Sequence, residues 1–265
     1  MKILKIYEQK LRFKNYSNRT IDTYLCYLEK FLIDENITDP YQIRLSQIKN
    51  YLENKVYSSN SQQNQVIGSL KLFAKYILNK KEVHLDKIER PKKQKNLPKI
   101  IDSAYLISII NSIENLKHKS IIMLAYSCAL RVSEVINLKI KDIDSKRMII
   151  HIKNAKGRKD RIVKLSPEVL KTLRLYFKQH RPEDYLFNGQ FSLQYSASSC
   201  NAIVKKYLGS QYHFHLLRHS SLTDMHENNV DIATLSKIAG HNSIKTTMIY
   251  THVSNKVIQN TYSPI

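Results

Sequence analysis

A tyrosine, two arginines, two histidines and a lysine stand in this chain at spacings that suit attack on a phosphodiester. Tyr250 comes nine residues after His241, which itself follows Gly240. His215, Arg218 and His219 fall at i, i+3 and i+4, so one helical face would carry all three. Arg131 comes directly after a long apolar run, and Lys156-Gly157 sits in a turn between two strand-like stretches. Cleaving a phosphodiester without a metal needs positive charge on the nonbridging oxygens and an in-line nucleophile. It also needs an acid for the departing 5′ oxygen and help in removing the nucleophile's proton. Arginine suits the first task, because its planar fork donates two parallel hydrogen bonds and stays charged. Tyr250 is the candidate nucleophile. Taken singly each residue is a weak signal: Tyr250 is one of 17 tyrosines, and a lone histidine is more often structural. The ordered set carries the weight.

Composition narrows the partner. The chain has 265 residues, a formal net charge of +21 and a pI near 9.7, a bias that points to a polyanion. Lys and Arg outnumber Asp and Glu by 20 to 10 over residues 1–99 and by 23 to 12 over 100–265. Two basic bodies clamping a duplex would look like this, and so would a Lys-, Asn- and Ile-rich proteome bias. Cys26, Cys128 and Cys200 are sparse and far apart, which argues against a disulfide framework. No Cys/His spacing resembles a metal site, so no metal and no cofactor is expected. With no long apolar stretch and an amphipathic N-terminus, a soluble, cytoplasmic protein with no membrane partner is expected.

The elements that must position these residues follow from periodicity. Residues 1–89 read as four helices and no strand, a small all-α domain. Leu4, Tyr7 and Leu11 share one stripe, Ser17 caps the next helix, and Pro40 opens a segment with Ile48, Tyr51 and Leu52 on its apolar face. A polar break at 58–61 precedes a helix with Val66, Leu70, Phe73, Ala74 and Ile77. Arg19 and Thr20 stand at a helix start, where side chains and amides suit phosphate. A solvated helix cap explains them equally well. Residues 90–99 hold two prolines and five basic residues, Arg90, Lys92, Lys93, Lys95 and Lys99, without an acid. They form an extended linker that would lie along a phosphate backbone or be merely solvated. From 100 onward a second domain begins, with Ser103 as a helix cap and an apolar helix over 119–130. A hairpin of 147–152 and 161–165 follows around a turn at 154–160, and then helices to the end. The predicted class is mainly α, α+β overall: an all-α four-helix domain, then a mostly helical domain with a small antiparallel sheet. Gly240 is expected at a helix C′ position, with Asn242 or Ser243 capping the helix that delivers Tyr250.

In order and spacing these boxes resemble the tyrosine recombinases of the phage integrase family, close to its short Xer-like members. The segments that carry the likeness are Ala129-Leu-Arg-Val-Ser-Glu134, Lys156-Gly-Arg-Lys-Asp-Arg161, His215-Leu-Leu-Arg218-His219-Ser220, and Gly240-His241 through Thr247-Met-Ile-Tyr250-Thr-His-Val. The second domain is covered nearly end to end, and the first more loosely. The resemblance implies a core-binding domain over 1–89, a linker over 90–99 and a catalytic domain over 100–265. It implies that Arg131 and Arg218 hold the scissile phosphate and that Tyr250 attacks to give a 3′-phosphotyrosyl link. Lys156 would protonate the leaving 5′ oxygen, His215 would assist proton transfer, and His241 would bond a phosphate oxygen. Arg19, Thr20, Arg90, Lys92, Lys93, Lys95, Arg158, Lys159, Arg161 and His219 are the expected DNA contacts. The reaction would need neither ATP nor metal. It would pass through a Holliday junction on double-stranded DNA with an inverted-repeat core, worked by a homotetramer on two sites, alone or with a paralogous recombinase. With no arm-binding domain ahead of the first helices, dimer resolution, inversion or simple mobile-element integration is favoured. Filled catalytic positions disfavour a silent DNA-binding relative, and the compact first domain disfavours a relaxing type IB topoisomerase. Two departures stand out. Ala129 and Ala155 replace common glycines, and if position 129 needs a positive φ, alanine there costs roughly 1 kcal/mol. Glu134 reads as a helix-start or structural partner. The tail would dock on a neighbouring protomer through Ile258 or be disordered.

Overall fold

Apolar residues at helical spacing build the N-terminal part of the chain. A computed structural model describes residues 2–79, 88–91, 99–153 and 160–252. The chain divides into two compact units, Met1–Lys95 and Asn96–Ile265. In the first, α1 (Lys2–Phe13) buries Ile3, Tyr7 and Leu11, so its stripe begins at Ile3, and Leu4 is only partly buried. α2 (Asn18–Asp34) starts at Ser17, whose hydroxyl accepts the Thr20 N–H. It buries Ile21, Leu28, Phe31 and Leu32. A 3-10 turn at Pro40–Gln42 leads into α3 (Leu45–Asn54), which buries Ile48, Tyr51 and Leu52. α4 (Asn60–Tyr76), capped by Ser59, contributes Val66, Ile67, Leu70, Phe73 and Ala74. These faces close one core. Within it Tyr7 meets Phe73 edge-on at 5.7 Å and donates its hydroxyl to the Ser69 carbonyl at 2.9 Å.

The second unit is mainly helical with a small antiparallel sheet, as the sequence predicts. α5 (Ser103–Ser112) is capped by Asp102, whose carboxylate accepts the Tyr105 N–H at 2.8 Å. The cap is therefore one residue ahead of the expected Ser103. α6 (Leu116–Ser127) packs against α8 and α10 and is buried on several faces, which is why it reads as apolar all round. It is followed by α7 (Val132–Asn137). β2 (Ile149–Ile152) pairs antiparallel with β3 (Arg161–Lys164), placing Ile152 opposite Arg161. A two-residue strand, β1 (Ile143–Asp144), completes the sheet in the order β1-β2-β3. It is too short for periodicity to announce. The helices α8 (Pro167–His180), α9 (Ala197–Leu208), α10 (Phe214–Glu227), α11 (Ile232–Ala239) and α12 (Ile244–Thr247) follow, and α12 runs into a 3-10 turn at Met248–His252. The main core fills the space among α5 to α10 and the sheet. A separate small cluster of Ala129, Leu222, Leu235, Ala239 and Tyr250 lies where α6 ends and α10, α11 and the last turn meet.

Candidate active site

Two helix ends and one helix face make the site. α6 stops because Ala129 adopts a left-handed conformation with φ 51°. The turn brings Arg131 to the start of α7, where the Glu134 carboxylate accepts its backbone N–H at 2.8 Å. α11 stops at Gly240, again left-handed with φ 59°. A Cβ there would come 3.1 Å from Arg161 Cδ, so the left-handed backbone favours glycine and any side chain would press on Arg161. Between these ends, α10 presents His215, Arg218 and His219. The 3-10 turn brings Tyr250 from the other side, with its ring 1% exposed in the small cluster. Arg131, His215, Arg218, His219, His241 and Tyr250 line one cleft of about 380 Å³.

The arginines are held from behind. Arg218 is 1% exposed. It donates to the Ala129 carbonyl at 2.6 Å and to the Ala239 carbonyl, both at helix C-termini whose last carbonyls lack intrahelical partners. Arg131 donates to Glu134 at 2.8 Å and to the Gly240 carbonyl at 3.3 Å. Arg161 grips the same carboxylate with two bonds, 2.7 and 2.8 Å, and reaches the Ile238 carbonyl at 2.6 Å. Burial pushes the Glu134 carboxyl up, but the bonds and charge of Arg161, then those of Arg131, overrule it and hold it down at about 2. Burial and the neighbouring Arg131 charge lower Arg218 to about 10, opposed by Glu134. Three guanidinium groups thus face one carboxylate, which leaves an excess positive charge of two. That matches the two negative charges of a pentacoordinate phosphoryl transition state.

Burial and the neighbouring arginines favour the neutral forms of the site histidines. Burial first, then the charges of Arg218 and Arg131, push His241 down to about 4. Burial, His215 and Arg218 do the same to His219. His215 is lowered by burial and Arg218. The tautomer of His241 follows from its partners. An arginine only donates, so the Nε2 that lies 3.3 Å from Arg218 Nη2 must accept. Nδ1 then carries the proton and donates to the Thr247 hydroxyl at 2.8 Å. Burial raises Tyr250 to about 12 against the pull of Arg218 and Arg131. Its hydroxyl lies 3.0 Å from His219 Nδ1, and the His215 and His219 rings meet edge-on at 4.5 Å.

The predicted residues are placed unevenly. Arg131, His215, Arg218, His241 and Tyr250 come together on the cleft. Lys156, Arg158, Lys159, Lys92, Lys93, Lys95 and Ile258 lie outside the described residues. Arg19 is exposed at the start of α2, and the Thr20 hydroxyl bonds Ser17 at 2.8 Å. Arg90 is exposed and donates to Asn64 at 3.0 Å. Two expected DNA contacts sit elsewhere. Arg161 is 8% exposed with its guanidinium engaged by Glu134, so it buttresses Arg131. His219 faces the nucleophile candidate. Glu134 and Thr247 are the residues that the sequence left without a site role. An acid three residues after Arg131, in a chain this basic, was the available signal for Glu134; Thr247 gave none.

Fold and cleft together bring a tyrosine, two arginines and three histidines to one place, an arrangement suited to phosphodiester chemistry. Residues 93–256 match the model of the phage integrase family. The tyrosine recombinase XerA of Pyrococcus horikoshii is 33% identical over 263 residues, covering 96% of this chain and 90% of that one. The tyrosine recombinase XerD of Staphylococcus epidermidis is 28% identical over 97% of each. A crystal structure of XerA recombinase aligns over 97% of this chain and 95% of its own, with TM-score 0.56 and 27% identity. The XerH site-specific recombinase bound to difH substrate in a pre-cleavage complex shares the fold at TM-score 0.72, with 22% identity over 93% of this chain and 79% of its own. The chain belongs to the phage integrase family and is a tyrosine recombinase, an enzyme of site-specific DNA recombination.

Proposed function

We propose that Tyr250 attacks a scissile DNA phosphate held by Arg131 and Arg218 and forms a 3′-phosphotyrosyl link. The observation that carries this is the meeting of Arg131, His215, Arg218, His241 and Tyr250, drawn from four separate segments, on one cleft. The charge excess there suits the dianionic transition state, and rigid backing by Glu134 and helix-end carbonyls holds it in place before substrate arrives. Lys156 protonates the departing 5′ oxygen, His215 assists proton transfer, and His241 donates to a nonbridging oxygen. For that last role His241 must turn or gain a proton, because its Nε2 accepts from Arg218 in the free protein. The bond energy stays in the protein–DNA ester. A 5′-hydroxyl from a second duplex then reverses the step, and two rounds pass through a Holliday junction.

The first unit serves as the core-binding domain and the second as the catalytic domain, with DNA contacts from Arg19, Thr20, Arg90 and the basic stretch that follows. Four protomers act on two inverted-repeat sites, in the cytoplasm, for dimer resolution, inversion or integration. No described helix is long and apolar enough to cross a membrane. The test is covalent capture on a nicked suicide duplex built from inverted repeats flanking the gene. Wild type should give a protein–DNA adduct and Tyr250→Phe none. An adduct that survives in Tyr250→Phe overturns the assignment.

A further inference from the structure

The residue beside the candidate nucleophile is His219, one of the expected DNA contacts. Tyr250 is 1% exposed, so its hydroxyl proton needs an acceptor inside the protein. Among the described residues, the hydrogen-bond partner of that hydroxyl is His219 Nδ1, at 3.0 Å. A neutral imidazole has one accepting nitrogen. If Nδ1 accepts the phenol proton, Nε2 carries the ring's own proton. The ring is partly buried and fixed by its place on α10, one turn after His215. His215 lines the same cleft but keeps more of its surface open than His219 does. Among the described residues its ring packs against His219, whereas the Tyr250 ring packs against His219 and not against His215.

We propose that His219 is a catalytic residue, the group that takes the proton of Tyr250 during cleavage and returns it during rejoining. This rests on Tyr250 being the nucleophile. As Tyr250 Oη bonds to phosphorus, its O–H bond breaks and the proton passes to His219 Nδ1. The P–O5′ bond breaks with its electron pair on O5′, which takes a proton from Lys156. In rejoining, the 5′-hydroxyl attacks and gives its proton back to Lys156, and Tyr250 leaves as the phenol with the proton from Nδ1. Atoms and charges balance in each direction, with no further reactant.

The resting site keeps the proton on tyrosine. Tyr250 is raised to about 12 and His219 lowered to about 4. The groups that face His219 are His213, His215 and Arg218 from α10 and its cap, His241 from the turn after α11, and Tyr250 itself. A bound phosphate adds a negative charge that offsets Arg218 and raises the imidazole's proton affinity. Bonding of Oη to phosphorus lowers that of the phenol. Transfer therefore waits for substrate, and a free cleft does not carry a reactive phenolate.

The experiment measures adduct formation by the full chain on the suicide duplex for wild type, His219→Ala, His219→Asn and Tyr250→Phe, with duplex binding followed in parallel. Asparagine places an oxygen near the position of Nδ1, so it holds the phenol but cannot take its proton. Both His219 variants should form adduct about 100-fold more slowly, with binding little changed. A second substrate carries sulfur in place of O5′, a leaving group that needs no proton. It should rescue a defect on the Lys156 side and leave the His219 variants slow. Adduct formation within about threefold of wild type in either variant, or rescue by the sulfur substrate, overturns the proposal. A Tyr250→Phe protein that still forms adduct instead overturns the nucleophile assignment on which it rests.

Discussion

Glu134→Gln is the perturbation that most directly tests how the arginines are held. The carboxylate is 6% exposed and accepts four bonds from Arg131 and Arg161, at 2.7 to 2.8 Å, with Arg218 3.8 Å away. Glutamine keeps the shape and loses the charge, so three guanidinium groups are left facing each other. The carboxyl falls from 4.5 to about 2 on folding. At about 1.4 kcal/mol per pKa unit that shift corresponds to roughly 3 kcal/mol of stability. Breaking a buried ion pair typically costs a similar amount, about 3 to 5 kcal/mol. Because the folded value is depressed, the contribution is fully present above pH 4.5 and is lost as pH falls toward 2. Urea unfolding of wild type and Glu134→Gln across pH 2 to 7 measures it. The variant should be less stable by roughly 3 kcal/mol at pH 7, and the gap should close steadily below pH 4.5. A gap below about 1 kcal/mol at pH 7, or one that persists unchanged at pH 2.5, refutes the account of Glu134 as the charged anchor of the cluster.

Thr247→Val removes the acceptor that fixes the His241 tautomer while keeping the volume. It should cost about 1 to 2 kcal/mol in a thermal melt and slow adduct formation more than duplex binding, with Thr247→Ser restoring both. Nitrogen NMR of labelled histidine should show His241 as the Nδ1–H form at pH 7 in wild type, and a cationic ring there would refute the assignment. Ala129→Gly relieves a left-handed φ of 51° but deletes a fully buried methyl beside Leu222, Leu235 and Tyr250. The first effect stabilises by about 1 kcal/mol and the second costs about 0.8, so stability should move by less than about 1 kcal/mol. A change above about 2 kcal/mol in calorimetry would show that one of the two is misjudged.

The helices were legible because each buries a stripe or a whole surface, and that leaves a period in the sequence. Ser17, Asp39, Ser59 and Ser166 cap their elements through short local bonds that a sequence carries in full. Asp102 and Ser103 are adjacent and both are cap formers, so sequence does not separate them; the Asp102 carboxylate is the group that reaches the Tyr105 amide. The set Arg131, His215, Arg218, His241 and Tyr250 was legible as an ordered pattern. What each nitrogen faces was not. His219 and Tyr250 are 31 residues apart, and only packing of the last turn onto α10 brings them to 3.0 Å. Arg161 looked like a phosphate contact because its box is basic. It turns inward because Glu134, 27 residues earlier, is an unscreened buried acid that requires a bidentate partner.

The Arg218 guanidinium is anchored on the carbonyl oxygens of Ala129 and Ala239, which belong to the main chain. No single substitution at those two positions deletes either oxygen, so this anchor is largely exempt from mutational loss. Residues 129 and 239 are fully buried in the small cluster, so what those positions must supply is small size together with a helix that ends there. Exchange of one small residue for another would leave the central arginine in register. The anchor therefore depends on where α6 and α11 stop, a property of helix length and turn conformation, more than on a particular functional group at either position.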